Sequence, residues 1–347
     1  VVSAQPIDGA KRKRATIVDV AKHAGVSTAS ASKVLRNAYG VSDSMRERVQ
    51  RSMDELGYRP HKLARGMRGS TYTIGMMVSD IDNPFFSVIA DGLRGVVHPQ
   101  SYEVLISTAG YDAASQNQAI EALVDHQMDG LILVAPLVSN DDLERVAREL
   151  PVVVVGRHTS AAGLDSVSGD DRVGAALAVE HLVEIGHRRI AFVANHQTDP
   201  ESDRPESYRL EGFLDAMGRH GLAAAATIID STWTLEGGRE AVHRIDAQDE
   251  PPTAVFAGAD ITALGILSEL WDNHRQVPAA FSLVGYDNSR ISAIGPIALT
   301  TVDQSGDIMG REAGRLLLER IAGRVESEHL LLEPRLVARS TTAPPAV

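Results

Sequence analysis

From Thr73 onward the chain alternates between short apolar runs and helical patterns, and this alternation constrains the fold more than any other feature. The runs "TIGMMV", "EVLIST", "GLILVA", "VVVVG", "RIAFVA", "TAVFAG" and "FSLVGY" are each bounded by turn residues. Helical patterns lie between them at Phe86 to Val97, Gln116 to His126, Val173 to Ile185, Tyr208 to Met217, Ala263 to Leu270 and Gly310 to Ile321. A strand that is apolar along its whole length is buried on both faces, and intervening helices supply the cover of a parallel sheet. Roughly ten such strand–helix units are too many for one ordinary open sheet and fit two. The natural division falls around Asp165 to Gly174. Ligands of such sheets sit outside the carboxyl ends of the strands, so two facing sheets place a pocket between them.

The first 70 residues have a different texture. They hold 14 Lys+Arg against 6 Asp+Glu, although the whole chain carries a net charge of −12. A basic head on an acidic body points to a polyanion-binding module joined to something else. In "ATIVDVAKHAGVSTASASKVLRN", Val20, Ala21 and Ala24 share one face of a first helix, and Gly25 supplies the positive φ of a helix end. Ser27 suits the N-cap of a second helix whose inner face carries Ala31, Val34 and Leu35. A third helix starts near Ser42, with Met45, Val49, Met53 and Leu56 on its inner face. The short link between the first two helices has helix-turn-helix length. A three-helix bundle for protein contact fits the spacing equally well; the local positive charge favours DNA. Beyond Pro60, Lys62 to Arg68 spells about two turns of helix weakened by Gly66, marginal alone and expected to fold only when held.

Other classes are disfavoured. There is no cysteine, which removes disulfides, thiol catalysis and thiolate metal sites. No apolar run approaches the ~20 residues of a membrane span, and the polar N-terminus lacks a signal-peptide core. A soluble, cytoplasmic protein is expected. No phosphate loop, HExxH, GxSxG or dinucleotide GxGxxG motif occurs, so no enzyme, metal or cofactor is expected. His181 and His187, six apart in "HLVEIGH", do not share one helix face as metal ligands would.

The opening stretch, "VSDSMRERVQRSMDELGYRP" and the linker resemble the lactose/galactose/purine repressor (LacI/GalR-type) family of bacterial transcription regulators. So do "NPFF", "HLVEIGHRRIAFV", "YRLEGF", "FAGADITALGIL", "LVGYDN" and "LTTVDQ", in the family's order, over about residues 15 to 342. The resemblance implies an all-α helix-turn-helix headpiece at 15–59 and a hinge helix at 60–71. It implies an α/β two-lobed effector and dimerisation domain, resembling periplasmic binding proteins, at 72–342. Lobe 1 then takes about 72–172 and 303–332, and lobe 2 about 173–302 and 333–342. The expected partners are double-stranded, roughly palindromic operator DNA, a small-molecule effector and a second copy of the chain. With no heptad extension beyond Arg339, a homodimer is expected rather than a tetramer.

The resemblance also assigns roles. Thr28 and Ala29 fall at base-reading positions, with Lys33 one turn later; Arg is more usual there, and Lys lacks its bidentate fork. A valine is usual at Ala31. Ser27 either caps its helix or meets a phosphate. Met67 either wedges into the minor groove or packs on the partner's hinge. Phe86 and Trp233 match rings that stack on the effector, although an isolated aromatic also serves as core. Arg209 and Asp287 match residues that clamp its polar groups. Asn83, Arg157, Arg204, Asp171 and Gln304 are further candidates. Ala259 replaces an Asn common in sugar-responsive members, leaving Asp260 to cap the helix that follows. A sugar or sugar derivative is the expected effector. A purine or nucleoside is the alternative, and a solute-binding protein without regulation is more remote.

Overall fold

The computed structural model describes residues 15–35, 39–58, 70–159, 161–195 and 203–346. Two compact units divide the chain, Val1–Thr71 and Tyr72–Val347.

In the first unit, α1 (Ile17–His23) begins with a reciprocal capping box. The Thr16 hydroxyl accepts the Asp19 N–H at 3.4 Å, and the Asp19 carboxylate accepts the Thr16 N–H at 2.8 Å. Gly25, at φ +64°, ends the turn after it. Then come α2 (Thr28–Leu35) and α3 (Asp43–Glu55), the latter capped by the Ser42 hydroxyl. Val20, Ala21, Ala24, Ala31, Val34, Val49 and Met53 form the core. The predicted hinge helix Lys62 to Arg68, with Met67, lies outside the described residues.

The second unit contains two six-stranded sheets. The first is built from β1 (Thr73–Val78), β2 (Glu103–Thr108), β3 (Gly130–Val134), β4 (Val152–Val155), β5 (Asp165–Gly169) and β11 (His329–Leu332), ordered β11-β5-β4-β3-β1-β2 and parallel throughout. The second holds β6 (Ile190–Asn195), β7 (Ala226–Ser231), β8 (Ala254–Ala257), β9 (Ser282–Tyr286), β10 (Thr300–Asp303) and β12 (Arg335–Val337). Its order is β12-β10-β9-β8-β6-β7, with β12 alone antiparallel to its neighbour. The helices of the first lobe are α4 (Pro84–Val97), α5 (Ala113–Asp125), α6 (Asn140–Ala147) and α11 (Gly306–Ile321). Those of the second are α7 (Asp171–Glu184), α8 (Pro205–Arg219), α9 (Leu235–Asp246) and α10 (Asp260–Asp272). The chain therefore crosses between lobes three times, after β5, after β10 and after β11.

Each sheet is apolar on both sides. Ile74, Met76 and Val78 pack under α4 and α11, while Met77 of the same strand joins Leu131 and Leu133 on the opposite face. This is why the runs are hydrophobic at every position. Helices α4 and α11 cross at van der Waals distance: a Cβ at Gly92 would lie 2.2 Å from the Asp307 carbonyl oxygen.

Sequence periodicity missed several elements for identifiable reasons. Strand β5, "DSVSG", is polar in composition yet fully buried. Strand β7 is an edge strand with an exposed face; β2, anticipated from its apolar run, is the opposite case, an edge strand whose Leu105 and Ile106 are exposed. Helix α9 contains Gly237 and Gly238, poor helix formers; a Cβ at Gly238 would lie 2.1 Å from the Thr262 carbonyl oxygen of α10.

Candidate functional site

A cavity of about 110 Å³ opens between the two lobes. A single water needs roughly 10–15 Å³ on this measure, so the space suits a small molecule. Its wall is built largely from residues that end or follow strands: Ser79 after β1, Ala135 after β3, Gly156 after β4, Asn195 ending β6, Trp233 after β7, Ala259 after β8, Asp287 after β9 and Gln304 after β10. That is where open α/β sheets place their ligands.

From the first lobe, Asn83 caps α4 by accepting the Phe85 N–H at 3.0 Å, and Pro84 starts the helix. This cap turns Phe85, Phe86 and Ile89 toward the cavity, where Tyr111 joins them.

The second lobe supplies the polar wall. Arg209 is buried, with its guanidinium 3.7 Å from the Tyr286 ring centre and 4.8 Å from that of Trp233. Its Nε donates to Asp171 Oδ1 at 2.7 Å and its Nη1 to the Gly258 carbonyl at 2.6 Å. Burial opposes ionisation of Asp171, but the charge of Arg209 and the His158 hydrogen bond hold its carboxyl below the ordinary value. Trp233 donates its Nε1–H to the Val193 carbonyl at 3.2 Å. Its indole lies against Gly258, where a Cβ would come within 2.3 Å of the ring. Asp287 sits at φ +120°, a conformation costly for any residue with a side chain. Its Oδ1 accepts from the Gln304 amide, and burial pushes its carboxyl well above the usual range.

Of the residues expected to meet the effector, Phe86, Arg209, Trp233, Asp287, Asn83 and Gln304 line the cavity. Three do not. Arg157 spends all five N–H groups elsewhere, on Asp203, the Pro136 and Val138 carbonyls and Asn140. Arg204 occupies the N-cap position of α8 and donates to the Leu137 carbonyl at 3.3 Å. Asp171 stands behind Arg209, positioning it. Asp260 does not cap α10 either; it sits fully buried, accepting from Ser289, Ser292 and Thr301. Those partners lie 29 to 41 residues onward, and a buried carboxylate must be satisfied by whichever donors the fold brings to it.

Glu206, Tyr111, Phe85 and Asn195 also line the cavity and were not anticipated. Glu206 had a signal: three residues before Arg209, it falls on the same helix face. His181 and His187 bond to Thr342 and to Thr253, Ser282 and Ala343 instead of any metal-like cluster. Among the described residues, no group of His, Cys, Asp or Glu is placed to hold a metal, and no helix is long and apolar enough to cross a membrane.

On the headpiece, Thr28, Ala29 and Lys33 are exposed on the side of α2 opposite buried Ala31 and Val34. The Ser27 hydroxyl accepts the Ser30 N–H at 3.1 Å, so it serves as the cap.

A helix-turn-helix head and a two-lobed body with an inter-lobe cavity define a ligand-responsive transcription regulator. Residues 16–61 match the lacI family of bacterial regulatory proteins, and residues 179–342 match a periplasmic binding protein-like domain. The HTH-type transcriptional repressor CytR of Escherichia coli is 34% identical over 332 residues, covering 94% of this chain and 96% of that protein. The lac repressor dimer bound to operator and the anti-inducer ONPF superposes with a TM-score of 0.77 at 26% identity, covering 95% of this chain and 100% of that one. A LacI family regulator from Enterococcus faecium with bound ribose gives 0.70 at 29% identity, over 79% of this chain and 100% of that one. The chain belongs to the LacI family of bacterial transcription regulators.

Proposed function

We propose that the chain is a repressor that grips a roughly palindromic operator as a dimer and is controlled by a small polyhydroxylated ring held between its lobes. One observation carries this reading: the cavity takes wall residues from both lobes, so a molecule bound there contacts both and favours one lobe arrangement over another. Such differential affinity is what shifts a conformational equilibrium. Phe86 and Trp233 offer aromatic faces to the C–H-rich side of a sugar ring. Arg209 and Asp287 offer donors and an acceptor to its hydroxyl edge. The ribose held by the Enterococcus faecium relative supports a sugar. On the head, Thr28, Ala29 and Lys33 read base edges, Lys33 by donating to guanine O6 or N7. Met67 and the hinge engage the minor groove. The protein works without a cofactor, in the cytoplasm, where the chromosome is.

A nucleoside is the second reading, because the same two rings can stack on a base and Ala259 offers no amide to a sugar.

Operators selected from random duplex DNA by the full chain provide the probe. A thermal-shift screen of sugars, polyols and nucleosides then finds the ligand, since ~100-fold excess over Kd is worth about 2.7 kcal/mol. The ligand should change operator affinity as well. If no compound does both, the reading is wrong.

A further inference from the structure

We propose that Glu206 sets the chemical class of the effector, selecting a hydroxylated ring that carries an amino group and rejecting phosphorylated ligands. This rests on the cavity being the effector site. Glu206 lies in the first turn of α8, one turn ahead of Arg209, and lines the cavity. Its Oε1 receives the Asn195 side-chain amide at 3.4 Å, a long hydrogen bond. Its Oε2 is sealed from solvent and has no hydrogen-bond partner among the described residues. A buried carboxylate oxygen without a donor destabilises the protein, and an exposed helix face could have carried the same residue at no cost. Burial pushes the Glu206 carboxyl up, against the opposing pull of its own backbone N–H and of Arg209 and Arg204.

The charge of the wall points the same way. Asp287 is a second acid, which burial holds toward its neutral form, and the charge of Arg209 is already matched by Asp171, so the wall has no spare cation for a phosphate. A phosphate ester would add about −1.5 to −2 charges beside these two acids. A ligand hydroxyl can donate one hydrogen bond to Glu206 but leaves its charge in place. An amino group donates to the Glu206 carboxylate and, when protonated, neutralises it, and a charge-assisted bond is strong in a site shielded from water. Amino sugars and nucleosides with an exocyclic amine both offer N–H donors to the carboxylate, although only the amino sugar's amine also protonates, and Phe86 and Trp233 can stack on either.

The test uses the full chain and calorimetric titration with matched probes: glucosamine, galactosamine and mannosamine against their parent hexoses and hexose 6-phosphates, and adenosine and cytidine against inosine and uridine. In at least one pair the amino member should bind about tenfold or more tighter than its partner, and no phosphate should compete. Preference confined to the sugar pairs identifies an amino sugar; preference confined to the nucleoside pairs identifies a nucleoside. Glu206→Gln should reduce that preference to roughly threefold or less. Without ligand, Glu206→Gln should melt at or above the wild-type temperature, because it removes an unpaired buried charge. A phosphate binding as tightly as an amino probe, or parents binding as tightly as their amino partners in every pair, overturns the inference, as does a preference that survives Glu206→Gln. A several-degree loss in melting temperature does so too, since it makes the carboxylate a folding element. Failure of the pocket assignment looks different: no probe binds, or binding survives Asp287→Ala.

Discussion

The Arg157 guanidinium holds both carboxylate oxygens of Asp203, Nε to Oδ1 at 2.9 Å and Nη2 to Oδ2 at 3.0 Å, and so joins the end of β4 in one lobe to the segment that opens α8 in the other. A second link runs beside it, where His158 Nε2 lies 2.7 Å from Asp171 Oδ2, and Asp171 in turn holds Arg209. The second of these ties leads to Arg209 in the cavity wall.

Breaking the first tie should loosen the hold of one lobe on the other. Asp203→Ala leaves a buried guanidinium short of two acceptors and should lower the population of this lobe arrangement. Apparent effector affinity falls in proportion to that population, by about tenfold for a shift of roughly 1.4 kcal/mol. Calorimetric titration of the wild type and variant measures it. Unchanged affinity would show that the Arg157–Asp203 pair does not bias the lobes.

Asp287→Ala should abolish the effector response while operator affinity stays within about twofold of wild type, because an unpaired Arg or hydroxyl at a polar clamp costs more than a lost apolar contact. Trp233→Ala should weaken the response more mildly. The pH dependence follows from the raised Asp287 carboxyl. The folded state binds this proton more tightly than the unfolded state, so its stabilising contribution is present below about pH 4 and is lost as pH rises through the raised value. Asp287→Asn, which cannot ionise, should gain on the ligand-free wild type in melting temperature between pH 4 and neutrality. A constant difference across that range contradicts the placement.

His187 predicts an acid limit. Its ring is buried, with Nε2 2.9 Å from the Ala343 carbonyl and Nδ1 2.9 Å from the Thr253 hydroxyl. Burial lowers its pKa from 6.5, assisted by His181 and opposed by the Ala343 hydrogen bond. The stability it contributes is complete above about pH 6.5 and declines as pH falls through the lowered value, because only the unfolded state takes up the proton readily. His187→Gln should flatten the pH dependence of urea unfolding between pH 5 and 7. An unchanged slope would place the acid sensitivity elsewhere.

Operator binding should reside in the basic head and depend steeply on salt. A dimer meeting ~6–10 phosphates loses roughly 10³–10⁵ in affinity between 50 and 200 mM salt, and a flat gel-shift titration contradicts this. Lys33→Ala should cost about 1–3 kcal/mol on the selected operator and little on random DNA. An equal loss on both would make Lys33 a phosphate contact.

Much of the architecture is readable from local pattern. A run such as Val152–Val155 is buried at every position because helices cover both faces of its sheet, and its residues record that burial directly. Thr16, Gly25, Ser27 and Ser42 mark helix ends through chemistry confined to a few neighbours. Strand ends announce where a ligand sits, which is how Asp287 and Gln304 come to face the cavity. Partnership across the chain is another matter. Arg157 lies 46 residues from Asp203, and Asp260 lies 41 from Thr301; nothing local tells a clamp on a ligand from a clamp between lobes. Strand order and the three crossings between the lobes decided that Arg157 meets Asp203, that Asp171 stands behind Arg209, and that Glu206 faces the cavity with an oxygen unpaired. Periodicity records how deeply a side chain is buried, whereas hydrogen bonds and charge pairs depend on which groups the tertiary fold brings within about 3 Å.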